Sequence, residues 1–355
     1  MNNTHRLVVV LAAAALVAGT PARAAWAATG PACPAAWDGD QQQTEKFSKT
    51  VPLPKGGSLD LSNISGDVVI TGGAGDQVVI EAVKRGRTAE DLKLVEIQVA
   101  TTATRVEVRT QYPRERRNIN VSVDFTVTVP RAAGVRVRTV SGDLKVATID
   151  GALAAESVSG DVTVTAAGQL EAAKTVSGNV TVDGAASEGD VSFASVSGDV
   201  RLKAVKARGI EASSVSGGVD LADVTSSRVA VKSVSGDIAF DGALAKGGRY
   251  ALQSHSGDVT VYADGKSGFE VAAGTFSGDI SSDLKIASTF GGEPPAGPPP
   301  PDAPPGRGPG HRPKSGGPGQ RIHGTFADGG AFLELNAFSG DVRIVNKAAT
   351  KVIKK

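Results

Sequence analysis

The sequence predicts an all-β chain built as a single parallel β-solenoid, a β-helix of roughly 19-residue coils with an N-terminal β-rich cap. Three observations carry that expectation. The first is a recurring tripeptide, found at Ser141-Gly142-Asp143, Ser159-Gly160-Asp161, Ser197-Gly198-Asp199, Ser235-Gly236-Asp237, Ser256-Gly257-Asp258, Ser277-Gly278-Asp279 and Ser339-Gly340-Asp341, with an upstream copy at Ser65-Gly66-Asp67. Degenerate copies at Ser177-Gly178-Asn179 and Ser216-Gly217-Gly218 complete a spacing of 18 to 21 residues between Ser141 and Ser277. A period near twenty marks a solenoid. The second is strict alternation after each tripeptide, as in Leu144 and Val146, Val162 and Val164, or Val259 and Val261, which describes a strand with one buried face. The third is another alternating run before each tripeptide, such as Val135, Val137, Thr139 or Val229, Val231, Ser233, followed at once by an apolar residue.

That apolar neighbour breaks the alternation, so the chain must bend there, and the Gly supplies a conformation that other residues reach only at a cost. The tripeptide is therefore a corner between two short strands. A looser return through Gly151, Gly168, Gly184 or Gly242 closes the coil. No single coil can bury its apolar side; stacking coils about 4.8 Å apart completes a core at roughly 1.5–3 kcal/mol per buried Val or Leu.

Stacking also places the Asp residues in a column. Carboxylates about 4.8 Å apart would repel by roughly 0.9 kcal/mol in water and about 3.5 kcal/mol at an effective dielectric of 20. Asn179 and Gly218 interrupt the column. The position thus reads as turn geometry, the side chain accepting backbone N–H bonds as in an Asx turn, and not as a cation ladder. The nine-residue Gly- and Asp-rich period of calcium-binding repeats is absent, and no cofactor or metal is expected.

The chain has 355 residues, 40% of them hydrophobic, and a formal net charge of +1, enough for a substantial core and without a bulk preference for nucleic acid. Aromatics make up only 4%, which suits a narrow stack lined by Val, Ile, Leu and Ala. Residues 1–27 read as an export signal: His5 and Arg6 precede the apolar run Leu7 to Ala18, and Ala22-Arg23-Ala24 and Ala25-Trp26-Ala27 offer cleavage patterns. That run is too short to span a bilayer comfortably, so the expected location is periplasm, cell surface or medium. Cys33 is the sole cysteine, so no internal disulfide forms; Gly30-Pro31-Ala32 before it lacks the Leu of a lipidation signal.

Residues 28–43 read as a flexible leader, and 44–134 as the β-rich cap, ending in Val127, Val129 and Pro130. One helical turn is expected at Ala89 to Leu94. The repeats occupy 135–290. Residues 291–320 are a Pro- and Gly-rich insertion, read as disordered, and 321–346 resume the repeat as the final coil. A basic tail, 347–355, carries Lys347, Lys351, Lys354 and Lys355.

The Ser65-Gly66-Asp67-Val68 start, the Val127, Val129, Pro130 run and the serial Val-Ser-Gly-Asp-Val repeats resemble the bacterial putative-adhesin family of unknown function, which includes the LiaG-like proteins of envelope-stress operons. The resemblance covers roughly residues 44–346. It implies a β-solenoid and an envelope location, and brings no catalytic residues.

Chemistry-bearing patterns are sparse. His5 lies in the signal and His311 in the insertion; His255 stands where other repeats have Val and reads as a partly buried stacking residue, leaving His323. No metal-ligand spacing, nucleophile elbow or phosphate loop occurs. Because polysaccharide lyases also use parallel β-helices, such an enzyme is the catalytic alternative. The outward positions Lys145, Thr163, Thr181, Arg201, Asp220 and Thr260 are mixed in sign and argue against it. The clusters Lys84-Arg85-Gly86-Arg87 and Arg114-Glu115-Arg116-Arg117 read as solvated hairpin ends; the sharper expectation is that Arg85, Arg87, Arg116 and Arg117 converge on an anionic glycan or lipid headgroup of the envelope. The favoured function is a non-catalytic exported interaction scaffold. An accessory regulator of envelope-stress signalling and a self-polymerising solenoid stand beside it.

Overall fold

In the computed structural model, residues 42–113, 120–289 and 319–347 are described. The signal, the leader up to residue 41, Cys33, Arg116, Arg117, His311, the insertion up to residue 318 and the tail beyond Lys347 lie outside them.

Each repeat forms one rung of two strands meeting at the Ser-Gly-Asp corner. Gly134–Ser141 runs into the first corner and Leu144–Ala147 leaves it; Ala152–Ser159 and Val162–Ala167 follow in the same way. The entering strands pair in parallel, Val137 beside Ala155 and Ser141 beside Ser159. So do the leaving strands, Leu144 beside Val162 and Val146 beside Val164. The same register continues through Val180 and Val200 to Val219 and Ile238. Alternation therefore buries one aliphatic set per strand, including Val137, Leu144, Val164, Val182, Leu202, Leu221 and Val231, each at most 2% exposed. Aromatics are few but deep: Phe125, Phe193, Phe240, Tyr250 and Phe269 are fully buried.

On five successive rungs, those of Ser141 to Ser216, a second corner lies four residues past the first apolar residue of the leaving strand. Thr148, Ala166, Ala204 and Asp223 have φ between 51° and 57° there, and Gly184 has φ of 70°. The left-handed corner is thus made mostly by non-Gly residues, while Gly151 and Gly168 on the return serve close approach: a Cβ there would stand 2.4 Å from the Ala133 carbonyl oxygen and 2.8 Å from the Asp150 backbone.

The all-parallel arrangement holds for the repeats and not for the ends. Gln43–Pro52 pairs antiparallel with Gln77–Gly86, which pairs antiparallel with Val121–Pro130. Glu96–Thr101 lies antiparallel to Arg105–Gln111. The strand Gln43–Pro52 carries Lys46, Lys49 and Pro52, residues that blunt edge-to-edge pairing. The helix Ala89–Leu94 is capped by the Thr88 hydroxyl, which accepts from the Asp91 N–H at 3.1 Å, and it buries Leu92. At the other end, Gln320–Phe326 runs antiparallel along Phe269–Ser277.

Spatial order departs from chain order at both ends. The Ser65 rung, strands Ser58–Ser65 and Val68–Gly73, stacks on the Ser141 rung on one side. Its other side meets Arg105–Gln111 and Val121–Pro130. The Ser339 rung lies between the Ser256 and Ser277 rungs, pairing in parallel with both. After the Ser256 rung the chain leaves one rung height open, builds the Ser277 rung beyond it, and returns to fill the gap with Ala331–Ser339 and Val342–Asn346.

Candidate interaction face

The Ser-Gly-Asp corners align into parallel rows along one edge of the stack. Their geometry follows from a single requirement: every buried backbone donor and acceptor at a corner must find a partner. The Gly142 N–H donates to the Ser159 carbonyl of the following rung at 2.9 Å, and the Leu144 N–H to the Asp161 carbonyl at 2.8 Å. The Asp161 N–H faces the preceding rung, and the Asp143 carboxylate accepts it at 3.0 Å. The Asp143 N–H likewise reaches Asp67, and the Asn179 N–H reaches Asp161. The row continues with Asp199 to Asn179, Gly218 to Asp199, Asp258 to Asp237, Asp341 to Asp258, and Asp279 to Asp341. At the cap end the Asp67 N–H reaches Asp124, a member of the row that has no Ser-Gly before it.

This corrects the Asx-turn expectation. The carboxylate does accept a backbone N–H, but the donor belongs to the next rung and not to its own turn. The corner displaces the regular ladder carbonyl from that N–H, and the side chain takes its place.

A second row lies inside. The buried Thr175 and Ser195 hydroxyls donate to the Gly160 and Gly178 carbonyls at 3.0 and 2.9 Å, and Ser214, Ser233, Ser254 and Thr275 do the same on later rungs. Asn63 fills this position in the Ser65 rung, donating to the Val123 carbonyl at 2.9 Å and accepting from the Thr110 hydroxyl. The glycine is needed for close approach as well as for φ: a Cβ on Gly160, where φ is 137°, would stand 2.1 Å from the Gly142 carbonyl oxygen.

The third row points outward. Ile64, Val140, Val158, Val176, Val196, Val215, Val234, Phe338 and Phe276 are each 41–49% exposed, one per rung. His255 occupies the rung between Val234 and Phe338. It is exposed, unlike the partly buried residue expected, and stacks on Phe338 with ring centroids 4.8 Å apart; Phe338 stacks on Phe276 at the same distance. Sequence reasoning used these apolar residues only as breaks in alternation. Their recurrence immediately before each Ser was the signal that they form a surface stripe.

The two flanks of the stripe differ in charge. On the Asp side, Asp199 pairs with Arg201, Asp258 and Asp341 pair with Arg343, and Asp124 pairs with Arg85. Among the described residues Asp67, Asp143, Asp161, Asp237 and Asp279 have no ion pair. On the entering-strand side, two residues before each outward residue, stand Arg138, Glu156, Lys174 and Lys232. Arg138 and Glu156 pair at 2.9 Å.

The expected basic site is arranged differently. Lys84 and Arg85 lie within the strand Gln77–Gly86 and not in a loop. Lys84 is buried, its ammonium donating to Glu45 at 3.2 Å and to the Leu92 carbonyl. Arg85 is paired with Asp124, and Arg87 is exposed. Lys84 and Arg85 thus already face acceptors. Among the described residues no three His, Cys, Asp or Glu side chains gather in a metal-sized cluster, and no helix is long and apolar enough to cross a membrane.

Stacked rungs with a shared corner define a β-solenoid-like repeat protein. The chain belongs to the Toastrack DUF4097 family, whose profile matches residues 39–184 and 155–291. Among solved structures, a putative adhesin from Bacteroides fragilis is similar at 13% identity, covering 85% of this chain and 96% of its own, with a TM-score of 0.38. A putative adhesin from Parabacteroides distasonis shares 12%, covering 84% and 97%, with a TM-score of 0.34. A putative cell adhesion protein from Clostridium sporogenes shares 12%, covering 85% and 99%, with a TM-score of 0.22. No curated protein matches the chain.

Proposed function

We propose that this chain is an exported, non-catalytic interaction scaffold of the cell envelope or surface, a protein that works by presenting a long regular edge to another component. One observation supports it above the others. The acids of the Ser-Gly-Asp corners are engaged in holding rungs together, their carboxylates accepting N–H groups of neighbouring rungs, and the buried hydroxyl two residues before the corner Ser donates to a corner carbonyl of an adjacent rung. A nucleophile needs a base oriented beside it; these groups are oriented along the stack. The export signal read over residues 1–27 supports the location.

The test is co-sedimentation of the purified chain with isolated envelope fractions, run beside an assay for unsaturated sugars released from acidic polysaccharides. Retention by the envelope without product release is the expected result. Sugar release that depends on pH and enzyme concentration would replace the scaffold reading with the lyase alternative, and absence from the envelope pellet would remove the scaffold reading altogether.

A further inference from the structure

We infer that the outward stripe is a homodimer interface, formed by two copies lying side by side with their axes parallel and equivalent rungs level. The stripe is a row of apolar side chains, each nearly half exposed, that His255 interrupts on one rung while stacking on Phe338. Its total area is on the order of several hundred Å², the size at which a surface patch on a soluble monomer marks an interaction site.

Two features select a second copy as the occupant. The first is period. The row advances one side chain per rung, about 4.8 Å, and an object that matches it over ten rungs must carry the same repeat; a second copy does. The second is charge. A two-fold axis parallel to the stack sets the Asp flank of one copy opposite the entering-strand flank of the other. Asp143 and Asp237 then face the rungs that carry the partner copy's Arg138 and Lys232, and Asp161 faces the rung of its Glu156, a charge that Arg138 offsets at 2.9 Å within its own copy. A two-fold axis perpendicular to the stack would instead bring the two Asp flanks together, which like-charge repulsion disfavours. The inference rests on the exposed stripe and its flanks and stands apart from the proposed envelope role.

The experiment uses the chain with Cys33→Ser, which removes its only thiol, in sedimentation equilibrium up to about 100 µM. A dimer is expected. Val196→Lys together with Val215→Lys should raise its dissociation constant at least tenfold while the melting temperature stays near that of the parent, because both side chains point outward. Val158→Cys should form a disulfide with its own counterpart on mild oxidation. A monomer at the highest concentration, or a dimer indifferent to the two lysines, overturns the interface. A mixture of Val158→Cys and His255→Cys chains that cross-links to each other in preference to themselves overturns the parallel arrangement.

Discussion

The Asp161 backbone N–H donates to the Asp143 carboxylate one rung away, at 3.0 Å. The same bond recurs along the stack, and it explains a column of acids that simple Coulomb repulsion would disfavour. Each carboxylate gains a backbone donor, and Arg201, Arg343 and Arg85 offset part of the charge. Because the bond needs an oxygen and not a charge, Asn179 serves equally, accepting the Asp199 N–H at 3.0 Å.

Gly218 breaks this row, since it has no side chain to accept the Asp237 N–H. A Cβ there would meet nothing closer than the Asp237 carbonyl oxygen at 3.4 Å, so a side chain fits. Gly218→Asn should stabilise the fold by about 1 kcal/mol, combining one net hydrogen bond with reduced freedom of the unfolded chain. Thermal denaturation should show a rise of about 2 °C. Gly218→Asp should gain less, because it adds a charge between Asp199 and Asp237. An unchanged or lowered midpoint for the Asn variant would count against the carboxylate row as a stabilising device.

The two corners of a rung respond oppositely to the same pair of residues. At the first corner Gly160→Ala forces a Cβ to 2.1 Å from the Gly142 oxygen while φ is 137°, at a combined cost of roughly 3 kcal/mol or more. At the second, Ala204 is exposed with φ of 51°. A left-handed conformation costs a non-Gly residue about 1–2 kcal/mol, so Ala204→Gly should gain up to about 1 kcal/mol after the entropy of Gly is counted. Urea titration of both variants checks the signs; equal signs would contradict the corner geometry.

These corners also mark what the sequence could and could not reveal. Gly160 announces its conformation because a φ of that sign is rare in other residues, and the alternation around it identifies both strands. Ala166 and Ala204 announce nothing, because stacking enforces their strained φ and local preference does not. Rung order is hidden for a related reason. Val342 and Ile344 fit the same template as Val259 and Val261, and the core accepts any rung with that pattern, so the placement of Ser339 between Ser256 and Ser277 is a property of assembly and not of the motif. The outward stripe was visible as residues but not as a surface, since exposure belongs to the stack. The basic clusters misled because sequence shows charge without its partner: Glu45 is 39 positions from Lys84, and Asp124 is 39 from Arg85.

Acid should loosen the row. The Asp341 carboxyl is held below the ordinary carboxylate range, first by the Asp279 N–H and then by the Arg343 guanidinium. A folded value below the unfolded one means that the contribution is complete above the unfolded value of about 3.9 and is lost as pH falls through the folded value. Asp341→Asn keeps the acceptor oxygen and removes the titration. Its urea midpoint should therefore fall less steeply than the parent's below about pH 4, with the difference reduced by salt because the site is exposed. Identical acid limbs would show that this carboxyl does not contribute to the pH dependence.

The inner hydroxyl row supplies its own control. Ser195 and Ser157 are both buried at the same position of their rungs, 3% and 6% exposed. Ser195 donates to the Gly178 carbonyl at 2.9 Å, whereas the Ser157 hydroxyl has no partner among the described residues. A buried hydroxyl without a partner carries a desolvation cost, and a hydroxyl that satisfies a buried carbonyl offsets one. Ser157→Ala should thus be neutral or stabilising by up to about 1 kcal/mol, while Ser195→Ala should cost about 1–2 kcal/mol by removing the donor from Gly178. Differential scanning calorimetry of the two variants reads the contrast directly. The difference between them, more than either value, tests whether the inner row works by hydrogen bonding, because both substitutions remove the same atom from equally buried sites. Two equal losses would assign the row to packing alone.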